Sequence, residues 1–93
     1  MSNFSKLFFE ETIETIRKIN HEEVDQLAIG LAQARDRGGR LFILGVGGSA
    51  GHASHAVNDF RKICQFEAYS PTDNVSELTA RVNDEGWDTC FTE

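Results

Sequence analysis

Arg40-Leu41-Phe42-Ile43-Leu44-Gly45-Val46-Gly47-Gly48-Ser49-Ala50 decides the fold of this 93-residue chain. Its first half is short, apolar after the arginine and bounded by glycines, the pattern of a strand buried on both faces of a parallel sheet. Its second half is a turn with three glycines that runs straight into a helix, expected over about Ala50 to Ile63. Glycine lets backbone amides approach a ligand and take positive φ. A helix N-terminus adds unpaired N–H groups and the positive end of a dipole. Strand, glycine turn and helix start together make an anion site suited to phosphate. Ser49 either caps the helix or offers its hydroxyl to that phosphate. Gly45, Gly47 and Ala50 also satisfy a loose dinucleotide pattern, for which Glu67 would supply the ribose acid, although the signal is weak alone.

Upstream lie two helices. The first, about Phe4 to Ile19, carries Phe9, Ile13 and Ile16 at helical spacing, and Leu7, Phe8 and Ile19 widen that stripe. Such a stripe faces either the chain's own core or another subunit. The second helix starts near Asn20, which with Glu23 forms a capping box, and Val24, Leu27, Leu31 and Ala34 follow its period. Gly38-Gly39 stops it. Downstream, Gln65 to Tyr69 reads as a weaker second strand, Pro71 marks a loop, and Asn74 with Glu77 caps a short helix through Leu78 and Val82. The element order is α/β. Two strands make a poor parallel sheet, so the chain is expected to be one incomplete domain, residues 1–93. Its leading helices fill 1–39 and a first β-α-β-α part with the phosphate turn fills 40–93.

Composition narrows the function classes. Fifteen acidic against nine basic residues leave a net charge of -6, which argues against a nucleic-acid binder in need of a basic stripe. No apolar run nears the roughly 18 residues of a membrane span, and the N-terminal stretch has no long apolar core of a signal peptide. Cys64 and Cys90 are too few for a disulfide scaffold and suit a reducing cytoplasm.

Chemistry concentrates on the helix behind the glycine turn. His52, His55 and Asp59 fall near one face at i, i+3 and i+7. Ala53, Val57 and Phe60 point elsewhere and can pack on the sheet. A histidine one turn before a carboxylate suits a divalent metal or acid–base work; in isolation, the same pair is usually a solvated surface pair. Here His55 lies roughly 9 Å along the helix from the turn at 1.5 Å per residue, about the length of a sugar phosphate.

Gly45-Val46-Gly47-Gly48-Ser49-Ala50, then His55 with Asp59, then Leu78-Thr79-Ala80 and Asn83-Asp84-Glu85-Gly86-Trp87, resembles the sugar isomerase (SIS) domain family, and within it the phosphoheptose isomerases. The likeness covers nearly all 93 residues, and family members are roughly twice as long. It implies a doubly wound, flavodoxin-like parallel sheet preceded by two helices, with this chain as its N-terminal part. It implies isomerisation of sedoheptulose 7-phosphate to a heptose 7-phosphate for surface polysaccharide, in the cytoplasm. By this resemblance Val46, Gly47, Gly48 and Ser49 line the substrate, and Asn83 and Asp84 hold sugar hydroxyls. His55 and Asp59 bind zinc, with Asp59 also the acid/base, and the protein is a homotetramer in contact through its N-terminal helices. Three positions depart from the family pattern: Val46 replaces asparagine, Asp59 replaces glutamate, and Asn74 stands where aspartate is common. They leave open a non-catalytic module that binds a sugar phosphate or a partner protein.

Overall fold

The structure, a computed structural model, describes residues 3–92. It is mostly helical with one small parallel sheet, compatible with part of an α/β domain. The order is α1 (Phe4–Lys18), α2 (His21–Asp36), β1 (Leu41–Phe42), α3 (Gly48–Lys62), β2 (Ala68–Tyr69) and α4 (Val75–Glu85). Short 3-10 turns at Pro71–Asp73 and Trp87–Thr89 flank α4. The chain divides into two compact units, Met1–Ala32 and Gln33–Glu93.

The first unit holds α1 and most of α2. Lys18 ends α1 because Ile19 turns extended (ψ 130°). Asn20 then starts α2 as its spacing predicts: its Oδ1 accepts from the amides of Glu22 (3.0 Å) and Glu23 (3.2 Å). The apolar stripe of α1 lies open. Phe4, Leu7, Phe8, Phe9, Ile13 and Ile16 are all exposed, as is every described residue before Leu31.

The second unit holds the sheet. β1 and β2 pair in parallel, with Leu41 opposite Ala68 and Phe42 opposite Tyr69. Ladder bonds from Leu41 N to Glu67 O (2.8 Å) and Ile43 N to Tyr69 O (2.9 Å) extend the pairing beyond the two-residue strands. Both strands are shorter than their apolar runs predict, because each is hydrogen-bonded along one edge only. Helix α3 lies against the sheet through Ala53 and Val57, and with Phe66 and Ala68 these form the small core. Phe60 meets Phe66 edge to face at 6.2 Å. The expectation of burial on both faces is met on one: Phe42, Leu44 and Tyr69 stay exposed, with Phe42 and Tyr69 stacked at 5.6 Å. On that second face the Arg40 and Arg61 guanidinium carbons lie over the rings of Phe42 and Tyr69, 5.4 and 5.8 Å from their centroids.

Two ends are fixed by backbone chemistry. Gly38, at φ +76°, takes the left-handed conformation that closes α2. Asn74 Oδ1 accepts from Glu77 N (3.1 Å) and opens α4. The Glu77 side chain answers through Asn74 Nδ2 (3.2 Å), a side-chain variant of the expected capping box.

Candidate functional site

The turn after β1 is held tightly. Gly47 (φ +63°, ψ −126°) is the residue before α3, so the helix begins at Gly48, ahead of the expected Ala50. Ser49 therefore sits inside the first turn and is not the cap. Its hydroxyl donates to Val46 O (2.8 Å) and accepts from Val46 N (2.7 Å). The Ser49 amide bonds to Val46 O (3.2 Å) and that of Ala50 to Gly47 O (3.1 Å). The amides of Gly47 and Gly48 have no acceptor among the described residues. Gly45 is buried where the strand end meets the helix start: a Cβ there would lie 2.7 Å from Ala50 N and nearer still to the Ser49 carbonyl.

Along α3, His55 Nε2 lies 3.3 Å from Asp59 Oδ2, the i,i+4 pair that the spacing predicts. Each follows a buried residue, Ala53 or Val57, by two positions. Two residues turn a helix by about 200°, so the pair occupies the face away from the sheet. It is open to solvent, at 76% and 48% side-chain exposure. Its distance from the turn follows from the helix: seven residues from Gly48 to His55 is about 10 Å at 1.5 Å per residue. His52, one turn earlier, is exposed as well.

The pair is a partial fit to zinc. A four-coordinate site needs three or four donors, and among the described residues no group of three His, Cys, Asp or Glu side chains converges. His55 and Asp59 can offer two ligands and no more from these residues.

Asn83 and Asp84 end α4, exposed, with Asn83 Nδ2 donating to Asp84 Oδ1 (3.2 Å). No hydrogen bond or ion pair ties either residue to the glycine turn or to His55 and Asp59. The eight site residues thus stand in three places: the turn with Val46, Gly47, Gly48 and Ser49, the His55–Asp59 pair, and the Asn83–Asp84 pair.

The sequence reading missed a groove of about 580 Å³ at the carboxyl ends of both strands. Leu44, Tyr69, Asn74, Leu78, Arg81 and Phe91 are among its lining. Buried Ser70 belongs to it too, its hydroxyl 3.0 Å from that of Thr72. Crevices at strand carboxyl ends are the usual ligand position of parallel sheets, and the Ser70-Pro71 break straight after β2 was its one sequence signal. Nearby, Glu67 cannot be read simply as a ribose acid, because its Oε1 already accepts from the Tyr69 hydroxyl (2.7 Å). That bond, followed by partial burial and the Glu67 charge, raises the Tyr69 phenol above its ordinary 10.0. The Ser54 hydroxyl, meanwhile, donates to Asp73 and ties α3 to the turn before α4.

No protein-family model and no solved structure matches the chain. Three curated proteins do. The chain is 33% identical over 94 aligned positions to the "Phosphoheptose isomerase" of Chlorobium phaeobacteroides, covering 94% of the chain and 42% of that protein. It is 29% identical to the "Probable phosphoheptose isomerase" of Thermoplasma acidophilum, covering 94% of the chain and 50% of the relative. It is 39% identical over 77 positions to the "Phosphoheptose isomerase" of Solidesulfovibrio magneticus, covering 75% and 37%. The chain is thus similar, along most of its length, to proteins named phosphoheptose isomerase, and it spans half or less of the length of each.

Proposed function

We propose that this chain is the phosphate-binding, N-terminal part of an SIS-domain aldose–ketose isomerase that converts sedoheptulose 7-phosphate to a heptose 7-phosphate. The observation that carries this reading is the shared helix: free Gly47 and Gly48 amides at its start and the His55–Asp59 pair two turns on. Similarity to three proteins named for that reaction supports it.

The chemistry needs an anion grip and a base. The Gly47 and Gly48 amides, with the positive end of the α3 dipole, hold the phosphate. The Asp59 carboxylate takes a proton from the carbon beside the carbonyl; the electron pair forms a carbon–carbon double bond and the carbonyl oxygen takes up a proton, giving an enediol. Return of the carbon proton to the former carbonyl carbon, as the neighbouring hydroxyl gives up its own proton and becomes the new carbonyl, completes the isomerisation: one proton has moved between carbons and one between oxygens, with nothing oxidised or reduced overall. His55 Nε2, 3.3 Å from Asp59 Oδ2, stands beside that carboxylate and aims it. Asn83 and Asp84 would hold sugar hydroxyls. Zinc, if bound, would take His55 and Asp59 as two of its ligands and would polarise the carbonyl. The whole protein would work in the cytoplasm as a homotetramer, with the apolar face of α1 in a subunit contact.

A second reading, a non-catalytic module that binds a sugar phosphate, is favoured by the openness of the His55–Asp59 pair, since catalytic carboxylates generally sit in shielded surroundings. One experiment separates the two. The protein is given sedoheptulose 7-phosphate with zinc present, and aldose product is followed for wild type, Asp59→Asn and Asp59→Glu. An enzyme loses at least a hundredfold in Asp59→Asn and changes rate in Asp59→Glu. Binding without turnover in all three establishes the module.

A further inference from the structure

Helix α4 carries Asn83 and Asp84 towards its far end, yet none of its own residues is buried. It stands off the sheet across the groove of about 580 Å³, which has Phe42 and Tyr69 on the sheet side and Leu78 and Arg81 on the helix side. Burial therefore does little to place this helix, and its anchorage lies at its start. The anchor is rigid within itself. Pro71 fixes one φ of the turn, the amide of Asp73 donates to Ser70 O (2.9 Å), and Ser70 is buried. Asn74 then caps α4 through Glu77 N. Across a cleft of about 490 Å³, the Ser54 hydroxyl of α3 donates to the Asp73 carboxylate and joins this block to α3. The lever beyond the anchor is long. From Val75 to Asn83 the helix rises about 12 Å at 1.5 Å per residue. A swing of about 10° at the anchor would carry Asn83 about 2 Å, and a misplacement of about 1 Å can cost roughly a hundredfold in rate.

We propose that Ser54 and Asp73 are positioning residues: their hydrogen bond ties the helix that bears His55 and Asp59 to the anchor of α4, and so fixes where Asn83 and Asp84 stand relative to that pair. Neither touches the substrate. The idea rests on the isomerase reading of the two pairs and deepens it by assigning what aligns them. An ionised acceptor makes this bond stronger than one between neutral groups, which suits a contact at the short end of a lever.

The test is made on the ¹⁵N-labelled full chain by NMR. Residual dipolar couplings give the orientation of α4 against α3 without any ligand. Amide shifts follow two probes, inorganic phosphate at Gly47 and Gly48 and sedoheptulose 7-phosphate at Asn83 and Asp84. In wild type the couplings of both helices should fit one orientation. In Ser54→Ala those of α4 should shrink or reorient while those within α3 stay. Sedoheptulose 7-phosphate should then bind about three- to tenfold more weakly, the weight of one hydrogen bond, with affinity for inorganic phosphate unchanged. A variant that merely loosened the fold would weaken both. Asp73→Ala should match Ser54→Ala, and the two together should do no more than either alone. Ser54→Thr, which keeps the hydroxyl, should restore orientation and sugar affinity. Unaltered α4 couplings in both alanine variants overturn the latch. Altered couplings with unaltered sugar affinity, or equal losses for the two probes, overturn the positioning role. If in wild type phosphate leaves Gly47 and Gly48 unshifted, or the sugar phosphate leaves Asn83 and Asp84 unshifted, the isomerase reading falls and the positioning role with it, while the couplings still report whether the latch exists.

Discussion

Gly45→Ala probes the joint on which the site is built. The added Cβ would lie 2.7 Å from Ala50 N, whereas ordinary contact begins at 3.4 Å. The start of α3 would have to retreat by at least 0.7 Å, and the Ser49 carbonyl, closer still, asks for more. All three obstructing atoms are backbone, so no side chain can swing aside. Overpacking of this kind typically costs 1–3 kcal/mol, and the rigid obstruction places Gly45→Ala near the upper end, about 3 kcal/mol. A chain of this size has roughly 5–14 kcal/mol in total at about 0.05–0.15 per residue. Gly51→Ala is the matched control. It lies inside α3, and its Cβ would meet nothing within 4 Å, so it should stabilise by about 0.5–1 kcal/mol. Urea unfolding followed by the fluorescence of the single tryptophan, Trp87, measures both. With an m-value of roughly 1–1.5 kcal/mol/M, the midpoints should separate by about 2 M or more. Equal midpoints would refute the claim that α3 is seated on the end of β1, and the geometry of the phosphate turn would go with it.

Two further outcomes follow from single contacts. Asn74→Ala removes the cap from Glu77 N and should cost about 1 kcal/mol, read by the same urea unfolding, whereas Asn74→Asp should keep most of it. Tyr69 is the only tyrosine, so its ionisation can be followed by ultraviolet absorbance. Its phenol, raised by Glu67, should titrate above 10.0, and Glu67→Gln should bring the midpoint down. Because the folded value is the higher one, the Tyr69–Glu67 bond stabilises fully below pH 10 and its contribution is lost as pH rises through the folded midpoint. A midpoint at or below 10.0 in the wild-type chain contradicts the bond.

Local chemistry was legible in the residues themselves. Asn20 and Asn74 announced helix starts because an Asx oxygen accepts amides two or three positions on, wherever the helix lies. Gly38 announced a stop because left-handed φ is cheap only without a Cβ. His55 and Asp59 had to meet because four residues bring side chains together on any α-helix. The strand–glycine–helix joint was legible for the same reason: its parts are contiguous. What depended on residues far apart was not. The true start of α3 at Gly48 turned Ser49 from a cap into a brace on Val46, a consequence of how closely Gly45 packs on the helix. The length of β1 was decided by its having a partner along one edge alone. Whether Asn83 and Asp84 join His55 and Asp59 is settled by no spacing, since nothing in a sequence sets the distance between two helices. The groove at the strand ends arose where β1, β2 and α4 converge, from residues up to 49 positions apart, Phe42 to Phe91. Periodicity and capping act within a few residues and are written in order along the chain, whereas closure of a site is a property of packing and exists only once the elements have come together.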